Sequence, residues 1–290
     1  MYTVSVDKDR CTLCGLCIPV CVRRILEEGD GAIRVTDPAL CILCGHCKAI
    51  CPEDAPWFPS LNAEEFSPAP GPDNLPKPLQ LMALFRSRRS TRIYQRRLVE
   101  REKLEGVLEA GRFAPSGGNR QPLLYTVLDS EGRIATVRRM AMSALGERAR
   151  RIQETIERKQ EGSETLTVMD QVLLTSAGNW LSMPDLLRQG TDRLFYHAPT
   201  VVICHGSPLI TTLEVDAGLA AMQMALMAEA MGLGTCFCHF LVFAIEESPE
   251  LRQALQIPED HKVAAAFMVG YPDVSFSRLV ARNPLEVRWL

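Results

Sequence analysis

The 290-residue chain has no excess of positive charge: 32 Lys and Arg stand against 35 Asp and Glu, a net charge of -3. Bulk electrostatics therefore gives no push toward nucleic acid or an anionic membrane surface. Nor is there an apolar run long enough to cross a bilayer. The richest stretch, "GLAAMQMALMAEAMGLG", is too short and carries Glu229. The opening residues, "MYTVSVDKDR", lack the basic-then-apolar order of a secretory signal. A complete dinucleotide fingerprint is missing too. Gly232-Leu233-Gly234 begins like one, but no third glycine follows and the segment ends a helix instead of opening one. These absences lead to the expectation of a cytoplasmic protein with no nucleic acid partner, no membrane partner and no separate NAD domain. What is present, 47% apolar and 23% charged residues, is ordinary globular composition. The length suits two domains, one with a sizeable core.

Cysteine is abundant, and its placement is informative. Of eleven cysteines, eight fall in "CTLCGLCIPVC" (11–21) and "CILCGHCKAIC" (41–51), while Cys204, Cys236 and Cys238 lie far downstream. Clustered cysteines in a reducing compartment more often bind metal than pair with each other. Each run reads C-x2-C-x2-C-x3-C, and the second repeats the first at an offset of thirty, with Pro52 following. A structural zinc site needs four ligands, usually two CxxC pairs, and leaves the third cysteine of each run without a role. An iron–sulfur cubane uses it, because one tight loop then supplies three thiolates and the fourth comes from elsewhere. Zinc or bare thiols are the alternatives. His46 occupies a spacer position and reads as exposed, not as a ligand.

At these residues the chain resembles the bacterial two-cluster ferredoxins, over roughly residues 1–58. The resemblance implies one [4Fe–4S] cluster on Cys11, Cys14, Cys17 and Cys51, and a second on Cys41, Cys44, Cys47 and Cys21. Gly15 and Gly45 suit tight turns over sulfur, where a side chain would crowd the cluster. One departure is Val22, where a proline is expected after Cys21.

Residues 59–79 hold most of a dense series of prolines (Pro56 to Pro78), which excludes helix and central strand and reads as an extended linker. Trp57 and Phe58, at its edge, are expected to pack on a domain. In residues 80–290, helical and strand patterns alternate. Helices are expected over 81–88, 99–113, 131–159 and "EVDAGLAAMQMALMAEAMG", and strands at "PLLYTVLD", "TVVICHG" and "HKVAAAFMVGYP". Long connections favour an α+β fold over a doubly wound sheet. Residues 162–192 have the weakest pattern and are expected to form a mobile lid.

Three segments carry binding chemistry. "RSRRSTRIY" (86–94) offers guanidinium forks and a hydroxyl, fit for one phosphate group or else a solvated basic helix end. "FAPSGGNRQP" (113–122) has flexible glycines and the Asn119 amide, able to meet a flat heterocycle with donor and acceptor edges. "GLGTCF" (232–237) places backbone N–H groups at a turn after the long helix.

With "VGYP" and "ARNPLEV" following in order, this part of the chain resembles the nitroreductase family of flavoproteins over roughly 80–290. The resemblance implies one FMN per subunit at the interface of an intertwined homodimer. Arg88, Ser90, Arg92 and Arg282 would grip the phosphate with Arg89 beside them. Asn119 would address the polar edge of the flavin, Ser116 the partner's flavin, and Gly234, Thr235 and Cys236 the reactive ring edge. Cys238 and His239 are weak catalytic candidates, His239 as a proton donor, against the plainer reading of a buried thiol and a packed or surface imidazole. Cys204 and His205 read as core, while His197 and His261 show no partner.

The fusion implies an oxidoreductase passing electrons from its clusters to FMN and on to a nitroaromatic, quinone or activated alkene. Ferredoxin or NAD(P)H is the expected donor. Two other readings stand beside it. One is an electron-transfer or redox-sensing partner without small-molecule turnover. The other is a flavin dehydrogenase passing electrons outward.

Overall fold

The thirty-residue repeat in the sequence is also a repeat of backbone. In the computed structural model, which describes residues 4–290, Leu13 and Leu43 both take left-handed φ values, 57° and 52°. Gly15 and Gly45 repeat 71° and 72°, and Arg24 and Asp54 repeat 52° and 54°. At Gly45 the reason for glycine is visible: a methyl there would stand 3.0 Å from Phe66 Cε1.

The chain divides into two units. One runs to Pro76 and includes Ser116–Arg120; the other comprises Lys77–Pro115 and Gln121–Leu290. In the first, β1 (Ser5–Val6) pairs antiparallel with β4 (Pro56–Trp57), and β2 (Leu26–Glu28) with β3 (Ile33–Val35). The short helices α1 (Cys17–Val20) and α2 (His46–Ala49) begin at or beside the third cysteine of each run. Val4, Ile25, Leu26, Ile33 and Phe58 form a small core. Phe58 packs as expected and stacks on Phe66 at 6.3 Å, but Trp57 stays about half exposed (48%). Along Pro56, Trp57 and Phe58 the side chains are buried, exposed and buried in turn, as extended chain alternates its faces.

The second unit starts with α3 (Pro78–Ser87), Pro78 sitting in the first turn where its missing N–H costs nothing. There follow α4 (Arg101–Arg112), β5 (Leu124–Leu128), α5 (Glu131–Glu161), α6 (Val168–Arg188) and β6 (Thr200–Gly206). The chain continues through α7 (Leu213–Ala230), β7 (Gly234–Phe237), α8 (His239–Glu247), α9 (Pro249–Ala254) and β8 (Lys262–Gly270). One antiparallel sheet, in the order β5-β6-β8-β7, forms the middle. Every residue of β6 is buried, and alternation splits it between two cores. Val201 and Ile203 pack with Leu145, Trp180 and Leu241 of α5, α6 and α8. Val202 and Cys204 pack with Val107, Ala221 and Met224 of α4 and α7. The result is an α+β unit with helices on both faces of an antiparallel sheet.

Two segments hold more regular structure than their sequence pattern signals. Residues 168–188, within the weakly patterned stretch, form a helix opened by a reciprocal cap in which Thr167 and Asp170 each accept the other's backbone N–H. Its buried face is Ala177, Trp180 and Met183. Gly178, Asn179, Ser182 and Pro184 on the same stretch blur the sequence pattern, and packing against α5 overrides their weak propensity. The turn expected at 232–237 is confined to Gly232, with φ 75°, and the chain then becomes strand β7. Among the described residues no helix is long and apolar enough to cross a membrane.

Candidate functional site

The eight clustered thiols fall into two crossed groups. Burial raises the Cys17 thiol above its ordinary value, and the thiols adding to the rise are Cys51, Cys11 and Cys14. Burial also raises Cys41, opposed by the Leu43 N–H, with Cys44 and Cys21 as its thiol neighbours. Cys47 is pushed up to about 12 by burial, then by Cys44 and Cys41. Cys21 thus stands with the second run and Cys51 with the first. Cys21, Cys41, Cys44 and Cys47 line one pocket. Among the described residues, no three His, Cys, Asp or Glu side chains stand close enough for a single metal ion. Four thiols grouped around one pocket, too far apart for a single ion, fit a multi-atom cluster better than one tetrahedral zinc. Backbone N–H groups already face the sulfurs: Ile33 donates to Cys11, Leu43 to Cys41 and Ala55 to Cys51, each at 3.4 Å. Lys48, whose role the sequence did not signal, is buried beside Cys47 and bonds Asp54 Oδ1 and Pro56 O.

In the second unit, the arginine-rich segment is laid against β7. Arg88 ends α3, Ser90 bridges Thr235, and Thr91 N–H donates to Thr235 O at 2.9 Å. Burial raises the Cys236 thiol, and Arg92, Ser90 and Arg88 act against that rise. Two guanidinium groups and a hydroxyl therefore converge beside the first residues of β7. Thr235 Oγ1 and Tyr94 Oη are buried without a hydrogen-bond partner. Buried polar atoms without a protein partner leave room for a hydrogen bond from a water, an ion or a bound group. Thr91 was not singled out in the sequence, yet it is buried and sets the approach of this segment to Gly234.

The other expected residues make contacts of their own. Arg89 lies 5.0 Å over the Phe276 ring and lines a pocket with Arg86, Thr91, Gly234 and Arg278. Arg282 is exposed in the C-terminal segment, where Nη1 donates to Ala281 O. Asn119, with φ 53°, donates Nδ2–H to Ile42 O and Leu43 O, both at 3.0 Å, and Ser116 lies in the same five-residue stretch of the first unit. Cys238 is buried and donates to Leu194 O; burial pushes its thiol up to about 12, so it is protonated near neutral pH. His239 opens α8, exposed, edge-on to Phe243 at 4.5 Å. Cys204 and His205 are core, as expected. The partners that sequence could not supply are His261 Nδ1 for His205 at 2.9 Å, and Gly190 O for His197 at 3.1 Å.

Comparison with known proteins follows this division. Residues 3–52 match the 4Fe-4S dicluster domain, and residues 85–271 match the Nitroreductase family. Ferredoxin-3 of Nostoc sp. is 32% identical over 71 residues, which cover 18% of this chain and 73% of that protein. A nitroreductase with bound FMN from Bacteroides fragilis superposes with a TM-score of 0.52 at 21% identity, over 72% of this chain and 99% of that one. A nitroreductase with bound FMN from Desulfitobacterium hafniense gives 0.52 at 19% identity, over 71% and 97%. The chain belongs to the nitroreductase family and carries a 4Fe-4S dicluster domain ahead of the family's own fold.

Proposed function

We propose that this protein is an FMN-dependent oxidoreductase that accepts electrons singly on two [4Fe–4S] clusters and delivers them, through FMN, to a nitroaromatic, quinone or activated alkene. The observation that carries the reading is the coexistence in one chain of two crossed thiol groups and a cradle formed by Arg88, Ser90 and Arg92 beside β7. The proposed organisation is a ferredoxin-type domain over 1–58, a linker over 59–79 and the flavin domain over 80–290.

Cys11, Cys14, Cys17 and Cys51 would hold one cluster, and Cys21, Cys41, Cys44 and Cys47 the other. The N–H groups of Ile33, Leu43 and Ala55 stabilise thiolate sulfur and thereby tune potential. Arg88, Ser90 and Arg92 would hold the phosphate by charge-assisted hydrogen bonds. Thr235 and the backbone of Gly234 and Cys236 would border the isoalloxazine. FMN, when bound, supplies both two-electron hydride and one-electron chemistry. Cys238 is a packed thiol in this scheme, and His239 is exposed at the start of α8.

The working unit is proposed to be a homodimer. Val215, Leu219 and Met222, at helical spacing, remain exposed as an apolar stripe along α7. An exposed apolar stripe of this kind is a face that a second copy would cover.

The test is anaerobic turnover of a quinone or nitroaromatic driven by a reduced ferredoxin. The intact protein is expected to turn over, while Cys14→Ser keeps its FMN but loses at least tenfold in this rate. Equal rates in the two proteins would contradict an entry through the clusters.

A further inference from the structure

The two cysteine runs are nearly identical in spacing and backbone, yet one of them has an extra partner. Asn119 reaches the second run alone, donating Nδ2–H to Ile42 O and to Leu43 O, both at 3.0 Å. Ile42 O and Leu43 N–H belong to the same peptide group, and Leu43 N–H donates to Cys41 Sγ at 3.4 Å. The bonds form a relay: amide of Asn119, carbonyl of Ile42, N–H of Leu43, sulfur of Cys41. A peptide whose oxygen accepts a hydrogen bond becomes a stronger donor at its nitrogen. In the first run the equivalent sulfur, Cys11, takes its hydrogen bond from Ile33 N–H of β3 instead.

The backbone around Asn119 is arranged for this contact. Gly118, Asn119 and Gln121 all take left-handed φ, at 61°, 53° and 47°. Asparagine tolerates that conformation better than most side chains. Leu43, on the receiving side, is left-handed as well, at 52°.

We propose that Asn119 is a positioning residue for the cluster held by Cys21, Cys41, Cys44 and Cys47. Its amide polarises the Ile42–Leu43 peptide, strengthens the hydrogen bond to Cys41 sulfur, and so raises the reduction potential of that cluster. Hydrogen bonds to the ligating sulfur stabilise the reduced, more negative cluster, which is the physical basis of the shift. The two clusters, alike in ligands, are thereby made unequal, and an electron shared between them is biased toward the second. The inference rests on the two-cluster reading above.

The experiment is an anaerobic redox titration of the intact holoprotein, followed by the electron paramagnetic resonance signals of the reduced clusters. Cys44→Ser, which alters a ligand of the second set, assigns the signals. Asn119→Ala is expected to move the midpoint of the second cluster to lower potential and leave the first in place. Asn119→Asp has the same shape, loses both donors and adds negative charge, so it is expected to move that midpoint further down. Asn119→Gln, which keeps an amide, is expected to recover part of the shift. Midpoints of both clusters unchanged in Asn119→Ala and Asn119→Asp would overturn the proposal, and so would equal shifts of both clusters. If Asn119→Ala fails to assemble its clusters, Asn119→Asp decides. Failure of the unmodified protein to show two cluster signals would instead refute the two-cluster reading, a result distinct from either of these.

Discussion

Asp192 has a side chain with no exposed surface and ties together the stretch that precedes β6. Oδ1 accepts from Leu194 N–H and Phe195 N–H, and Oδ2 from His197 N–H, all at 3.0 Å. Arg138 Nε stands 2.9 Å from Oδ2 without aiming its N–H along the contact, so charge more than hydrogen-bond direction joins the two. Removing one partner of such a pair leaves the other buried and unpaired. Asp192→Ala is expected to cost about 3–5 kcal/mol in urea unfolding of the second unit. A loss below about 1 kcal/mol would contradict the account of this stretch. His205 yields a pH prediction. It is bonded to His261 Nδ1 and Thr126 Oγ1, and burial, then His261 and Arg252, lower its pKa from the ordinary 6.5. A depressed value means the folded state prefers the neutral ring. Its contribution is present above pH 6.5 and is lost as pH falls through the lower folded value. Tm is expected to decline as pH falls below 6.5, and His205→Gln is expected to flatten that decline.

Among the elements, β7 depends on an approach closer than any side chain allows. A methyl on Gly234 would stand 2.7 Å from Thr91 Cβ, and the same two segments are joined by the Thr91 N–H to Thr235 O bond. Gly234→Ala is expected to cost about 1–3 kcal/mol and to lower the FMN content of purified protein, because Ser90 and Arg92 move with Thr91. Retention of full stability and full FMN would contradict it. Which elements were legible follows from physical signal. β6 and β8 were readable because unbroken apolar runs of strand length, closed by glycine, mark a sheet buried on both faces. α5 was readable from its charge-rich exposed face. α6 was not, because its interior contains Gly178 and Pro184, and a helix held by Trp180 and Met183 against a neighbour advertises only those few positions. The conversion of 234–237 from turn to strand was equally hidden, since pairing with β8 is a long-range contact.

For the whole molecule, the two cysteine runs were legible because three thiols lie within one short loop of each and the repeat is exact in spacing. The convergence of Arg88, Ser90 and Arg92 beside Cys236 was readable only in part, from local order, since the meeting with β7 spans nearly 150 residues of chain. The bond from Asn119 to the 41–44 loop was not legible at all: nothing in the local pattern of either segment names the other. A second unit of family fold with a dicluster domain ahead of it gives the molecule two kinds of redox centre, and the central claim concerns their order of use. The most direct measurement is the anaerobic visible spectrum of the holoprotein during rapid mixing, first with NADH or NADPH and then with a reduced low-potential ferredoxin. Prompt bleaching of cluster and flavin bands with ferredoxin alone is the predicted result. Prompt bleaching of the flavin by nicotinamide, with the cluster bands lagging behind, would contradict it and make the clusters an exit or a store.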